Sequence, residues 1–271
     1  DMPVQRTLKP ADGDNRERIQ LALDELAALP LKDGVRGALL LKRGRYPVEG
    51  QLYIRASGVV LRGEGDGEKD TVLIATQRKQ HTLIKIGGTG RPKEVAGTRT
   101  KVTDTYVPVG AAKLRVENPA PFSVGDLVIV HRPSTKEWIA EIAMDRIKER
   151  HKKVRQWKPG SYDLRFQRII VAIRGKELEL DAPLACSLDG TFGGGTVYRY
   201  TWDERIENVG VESLRGESEF DHAKADGKRK GEYVDENHGW NFLSFGVVRD
   251  GWARQVTSRY FGYSSVAISS P

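Results

Sequence analysis

Between Asp14 and Leu29 the apolar residues recur every three or four positions. Ile19, Ala22, Leu23, Leu26 and Ala27 therefore share one face of a helix. Asp14 followed by Glu17 has the form of an N-terminal capping pair, and Pro30 ends the run, so a helix is expected over 14–29. Beyond it the period changes. Ala38–Leu41, Leu52–Ile54, Val59–Leu61, Val72–Ile74 and Leu83–Ile86 are short apolar segments separated by glycine and charged turns. Segments this short with frequent turns read as strands of an all-β domain.

Residues 104–200 follow a different grammar. Val124–Val130 and Gly175–Asp181 read as strands entered through tight turns, and a short helix is expected near Glu137–Ile147. Between them, residues 146–158 hold seven Lys or Arg against the single acid Glu149. This stretch reads as an inserted β-rich subdomain with a basic excursion; a solvated charged loop is the simpler account of the excursion. After it, the apolar pattern repeats. Ile206–Glu212 aligns with Ala253–Arg259 at a separation of 47, two periods of 23.5, while Leu243 with Val266 and Phe245 with Ile268 give a single step of 23. A period in the twenties without helices predicts stacked β-coils whose apolar residues form one interior column. The expected division is 1–103, 104–200 and 201–271.

Composition narrows the partners. In 271 residues, 44 Lys and Arg stand against 37 Asp and Glu, a net charge of +7. Such a surface favours anions: acidic polysaccharide, nucleic acid or anionic lipid. Scattered aromatics among basic residues are weak grounds for nucleic acid without a nucleic-acid fold motif. No run approaches the ~20 apolar residues that span a bilayer. Cys186 is the single cysteine, so no disulfide forms within the chain.

Three N-terminal stretches carry a family resemblance: Gly13–Asp24, Gly37–Tyr46 with its Gly-Arg-Tyr ending, and Gly58–Gly65. Together they resemble the opening of the pectate-lyase-like superfamily. The resemblance implies a right-handed parallel β-helix, with the 14–29 helix capping its N-terminal end and the 104–200 subdomain inserted between coils. It also implies a secreted or periplasmic carbohydrate-active protein. The superfamily spans uronate lyases, glycoside hydrolases, epimerases and phage tailspikes, so fold does not settle activity. The chain stops at Ser269-Ser-Pro271 directly after an apolar strand, where a cap is expected. An open last coil is a pairing hazard, so further coils, or a second chain, are expected to cover it.

The candidate chemistry clusters near the C-terminus. If Leu243 and Phe245 point inward, alternation turns Trp240, Phe242 and Ser244 outward, and Tyr263 falls one coil above Trp240. Two stacked aromatics could hold a sugar ring, or form a packing ladder. Asp221, His222, Asp235, Glu236 and His238 bracket a polar loop of a length that suits a substrate cleft. In β-elimination of an acidic polysaccharide, the reaction of the lyases it resembles, His238 or Tyr260 would take the C5 proton, and Arg254 or Arg259 would neutralise the uronate carboxylate. In hydrolysis, Asp221, Asp235 or Glu236 would serve as acid and base. A non-catalytic glycan-binding or structural solenoid is the third reading. For each there is a plainer account: a loop-stabilising hydrogen-bond cluster, and an ion pair between Glu236 and Arg259 across coils. Asp235, Glu236 and His238 are of the donor type that holds Ca²⁺, without a diagnostic spacing, so no metal ligand is assigned. In the insert, His131, Arg132 and Trp138 form a polar-aromatic patch suited to an acidic glycan.

Overall fold

The computed structural model describes residues 2–148 and 154–269 and is mostly β, with both parallel and antiparallel sheets. It divides into two units, residues 1–91 with 203–271, and residues 92–202. Among the described residues no helix is long and apolar enough to cross a membrane.

The first unit opens with strand β1 (Val4–Leu8) and helix α1 (Arg16–Ala27). Six strands follow: β2 (Gly37–Leu41), β3 (Gly44–Val48), β4 (Leu52–Ile54), β5 (Val59–Arg62), β6 (Thr71–Ala75) and β7 (His81–Gly87). The second unit holds β8 (Lys93–Glu94), β9 (Thr100–Lys101), β10 (Tyr106–Val107), β11 (Lys113–Arg115), β12 (Leu127–Arg132), α2 (Lys136–Glu141), β13 (Leu164–Arg174), β14 (Glu177–Leu180), β15 (Leu188–Asp189) and β16 (Thr196–Thr201). The chain then re-enters the first unit with β17 (Ile206–Ser218), β18 (Gly239–Gly246), β19 (Val248–Arg259) and β20 (Ser264–Ser269).

Among the described residues the named strands of the first unit pair in parallel, in three ladders that the chain visits in turn. The first runs through β1, β2, β5 and the opening halves of β17 and β19. The second takes β3, β6 and the closing halves of β17 and β19. The third is β4, β7, β18 and β20. One long strand can serve two ladders because it bends at left-handed residues. Ser213 (φ 54°) in β17 and Gln255 (φ 51°) in β19 lie side by side, their side chains 3.1 Å apart.

Registration explains the repeat seen in the sequence. Leu52, Ile84, Leu243 and Val266 form one row of the third ladder, and Ile54, Ile86, Phe245 and Ile268 form another. The rows lead into a single core with Leu39, Leu61 and Leu73. Each fully buried aliphatic side chain in it stabilises the fold by about 1.5–3 kcal/mol. The step from Asn241 to its neighbour Ser264 is 23 residues. The separation of 47 between β17 and β19 is corrected to 42: Glu212 lies beside Arg254, and the two strands are immediate neighbours. The step is long because the 219–238 loop is interposed, so row spacing follows loop length and not a fixed period. In the last strand Val266 is 38% and Ile268 85% exposed.

Helix α1 starts later than the 14–29 reading. Asn15 is the N-cap and makes no side-chain capping bond. Its buried amide instead ties Ala11 and Gly13 together, while Asp14 Oδ1 accepts from the backbone N–H groups of Arg16 and Glu49. Ile19, Ala22, Leu23 and Leu26 join the core of the three ladders.

The second unit is antiparallel, with β11, β14, β13, β12 and β16 in one sheet. It has a core of its own around Leu114, Val128, Val130, Ile170 and Val197. The short helix expected near 137–147 spans Lys136–Glu141, and Thr135 caps it by accepting from Trp138 N at 3.2 Å.

Candidate functional site

The outer face of the third ladder carries the aromatic pair. Gly239 and Asn241 of β18 register with consecutive residues of β7, His81 and Thr82. Trp240 is thus the extra residue of a bulge, a device that re-aims a side chain. Its ring and that of Tyr263 lie parallel within 3°, centroids 6.0 Å apart. Tyr263 is 74% exposed. A Cβ on Gly262 would come within 2.7 Å of the Trp240 ring, so that position must stay bare for the pair to form.

The alternation expected beyond Trp240 fails at one residue. Phe242 does not face outward; it is fully buried next to the equally buried Leu243. Its ring packs on Phe261 at 5.5 Å and over Gly216, where a Cβ would meet it at 2.4 Å. The bulge frees β18 from strict alternation, and the bare Gly216 backbone makes room inside.

The 219–238 loop is anchored by Asp235. Its buried carboxylate accepts from Lys224 Nζ at 2.9 Å, Asp221 N at 2.8 Å and Asn237 N at 3.2 Å, with Arg78 at 4.0 Å. The Lys224 ammonium, then the Asp221 N–H, hold its carboxyl well below the usual carboxylate range against the opposing effect of burial. A group so held carries no proton to give, so Asp235 fits the plainer account, a loop anchor, and not an acid catalyst. Asp221 is likewise engaged locally, its Oδ1 accepting from Ala223 N. Beside this anchor Phe220 packs against His222 at 4.2 Å, Tyr233 at 4.9 Å and Tyr260 at 5.6 Å.

Together these side chains border a cleft of about 490 Å³ lined by Phe220, Tyr233, Glu236, His238, Trp240 and Tyr260. His238 is 6% exposed, with Nδ1 3.0 Å from Ser218 Oγ. Burial lowers the pKa of its imidazole; the carboxylate and carbonyl of Asp235 pull the other way, and positive charge on His81, when that ring is protonated, and on Arg78 adds to the lowering. The net effect is an uncharged ring at neutral pH, able to accept a proton. At the rim, Tyr260 is 52% exposed, and its hydroxyl accepts from Arg259 Nη2 at 3.2 Å.

The structure thus gathers His238, Glu236, Asp235, Trp240 and Tyr260 around one cleft, with Arg259 reaching it through Tyr260 and Tyr263 through Trp240. The ion pair expected between Glu236 and Arg259 is not formed: Arg259 registers beside Glu217. Arg254 is placed elsewhere. It belongs to the first ladder and pairs with Glu212, which also accepts from Arg62 Nε at 2.6 Å. His131, Arg132 and Trp138 lie in the second unit, where His131 Nε2 meets Asp163 Oδ2 at 2.9 Å and the Arg132 guanidinium covers Trp138 at 4.2 Å. Residues 149–153 of the basic run lie outside the described residues. Among the described residues no three His, Cys, Asp or Glu side chains gather as a metal site. Ser218, Phe220 and Tyr233 were not legible as site residues, because nothing in their spacing shows that the loop folds back over the strand end.

No family model and no curated protein matches the sequence. Seven chains among the solved structures match, three of them as follows. The tailspike gp61 of Pseudomonas phage phi297 aligns at a TM-score of 0.45 and 12% identity, over 88% of this chain and 30% of its own. The tailspike protein gp49 of Pseudomonas phage LKA1 gives 0.45 and 12%, over 93% and 32%. The Gp54 tailspike of Acinetobacter baumannii bacteriophage AP22, solved with an A. baumannii capsular saccharide, gives 0.37 and 8%, over 95% and 34%. The chain spans about a third of the length of each.

Proposed function

We propose that the first unit is a right-handed parallel β-helix closed at its N-terminal end by α1, and that it presents an acidic polysaccharide to the His238 cleft for β-elimination. The right hand is the one that parallel strand–crossover–strand connections nearly always take. The observation that carries the functional reading is the stacked Trp240–Tyr263 pair at the edge of a cleft that holds an uncharged imidazole.

In this reading a sugar ring lies on the aromatic pair, whose faces suit the apolar face of a pyranose. Arg259 neutralises the uronate carboxylate, because a C5 proton beside an ionised carboxylate is too weakly acidic to leave. His238 takes that proton. Its electron pair forms the C4–C5 double bond, the C4–O bond breaks, and the departing oxygen takes the Tyr260 hydroxyl proton. Paired-carboxylate hydrolysis is less favoured, since Asp235 has no proton to donate and its oxygens already hold Lys224, Asp221 and Asn237.

The test is incubation of the protein with a panel of uronate polymers, following absorbance of the unsaturated product. A signal lost in His238→Ala supports elimination. Reducing sugar without that absorbance would point to hydrolysis, and binding without either product to a non-catalytic glycan module.

A further inference from the structure

Trp240 also lines a second cleft, of about 650 Å³, over the start of β7. Its floor contains His81, which is 7% exposed. Nδ1 of that ring lies 2.6 Å from the Lys79 carbonyl, which can only accept. In the neutral ring the hydrogen is therefore on Nδ1, and Nε2 presents a lone pair. Among the described residues no group donates to it. A buried acceptor without a donor is uncommon in a folded protein and calls for a reason.

The walls suggest one. Lys79 and Lys85 are exposed and have no acidic partner among the described residues, and with Arg16 they outnumber the one lining carboxylate, Glu49. Asn241, whose Nδ2 donates to Thr82 Oγ1 at 3.2 Å, adds fixed polar groups beside Trp240. The cleft thus combines an unmet acceptor, spare cations and the edge of an aromatic platform already placed in the first cleft.

We infer that this second cleft is a subsite for the same acidic glycan, in which a ligand hydroxyl donates to His81 Nε2 and uronate carboxylates meet Lys79 and Lys85. It rests on the glycan reading of the first cleft. Its consequence is a length requirement: a chain must cross Trp240 to fill both clefts, so long oligosaccharides bind better than short ones and cleavage falls within the chain. His81 acts here as a binding residue.

The experiment measures calorimetric binding of size-graded oligosaccharides of polygalacturonate, alginate and hyaluronan to the full chain, with thermal unfolding of each variant as a folding check. His81→Phe, which cannot accept, should weaken binding of long chains about 3- to 10-fold, the worth of one hydrogen bond, and leave short ones unchanged. His81→Gln should recover part of the loss. Lys79→Ala with Lys85→Ala, both on exposed side chains, should reduce the salt dependence of long-chain binding. If these variants bind long chains like the parent while Trp240→Ala loses binding, the subsite is overturned and the glycan reading stands. Equal losses for long and short chains also overturn it. If Trp240→Ala binds normally, or no uronate polymer binds at all, the glycan reading falls and the subsite with it.

Discussion

Trp240 and Tyr263 lie parallel to within 3° on neighbouring strands, one at a bulge and the other just before an exposed strand. Neither ring is needed to fill the core, since Phe242, Leu243 and Phe245 do that from the same segment. If the pair is a glycan platform, Trp240→Ala should reduce affinity for a bound uronate oligosaccharide by about tenfold or more, and Tyr263→Ala by less. Thermal unfolding should move little in either case. Titration followed by intrinsic tryptophan fluorescence separates the two effects, and unchanged affinity in both variants would remove the platform.

Phe242 makes the opposite prediction. Its ring is fully buried over Gly216. Phe242→Ala should cost about 3–5 kcal/mol of stability. Gly216→Ala, which forces a methyl into the ring, should cost about 1–3 kcal/mol. Denaturant unfolding measures both, and a loss under ~0.5 kcal/mol for Phe242→Ala would contradict its burial.

His238 couples the site to pH. Its folded pKa is lowered from 6.5, chiefly by burial. The unfolded chain therefore takes up a proton first as pH falls. Stability associated with His238 is complete above the unfolded value of about 6.5 and is lost as pH drops from there towards the lower folded value. His238→Gln should flatten this part of the stability profile. The same lowering keeps the ring a competent base below the usual histidine range, so the acid limb of any elimination rate should lie below about pH 6.5. An acid limb above that value would exclude His238 as the base.

Asp235 acts lower on the pH scale. Lys224 and the Asp221 N–H hold its carboxyl below the ordinary range, so its contribution is present above about pH 4 and is lost as pH falls through the folded value. Asp235→Asn should lower the melting temperature at neutral pH, remove this acid-sensitive portion, and increase proteolysis within 219–238. A loop equally protected in the variant would show that the carboxylate is not its anchor.

Arg254 should prove dispensable for chemistry. Its side chain is 65% exposed and pairs with Glu212. Removal should cost no more than about 1 kcal/mol, as for other exposed partners, and leave any elimination rate unchanged. Glu212 is different. Burial raises its pKa, but the bonds from Arg62 and Arg254 outweigh that and hold it ionised. Glu212→Leu should therefore destabilise by more than Arg254→Ala in the same denaturant assay, because it removes the one buried carboxylate to which Arg62, Arg254 and the Trp252 indole all donate.

Much of the first unit was legible from local pattern. Helix α1, most strand positions and the 23-residue step between β18 and β20 follow from apolar periodicity, which reports which side chains need burial. The 42-residue step between β17 and β19 was misread, because periodicity says nothing about a loop interposed between neighbouring strands. Trp240 over Tyr263 was legible for the same reason as Leu243 beside Val266: residues at equal steps along parallel strands stack.

The sequence alone determined which residues seek the interior, and hence the existence of repeated strands and the aromatic pair upon them. Only the tertiary structure decided that Phe242 turns inward, that Asp235 is spent on closing a loop, that Arg254 serves Glu212, and that His81 keeps an unmet lone pair. The first three depend on partners brought from elsewhere in the chain, Gly216, Lys224 and Glu212; the fourth depends on no other segment among the described residues bringing a donor to His81 Nε2. Burial preference is a property of a residue and its near neighbours, whereas a hydrogen-bond or charge partner is fixed by where the whole chain brings a second group, and no local pattern encodes that.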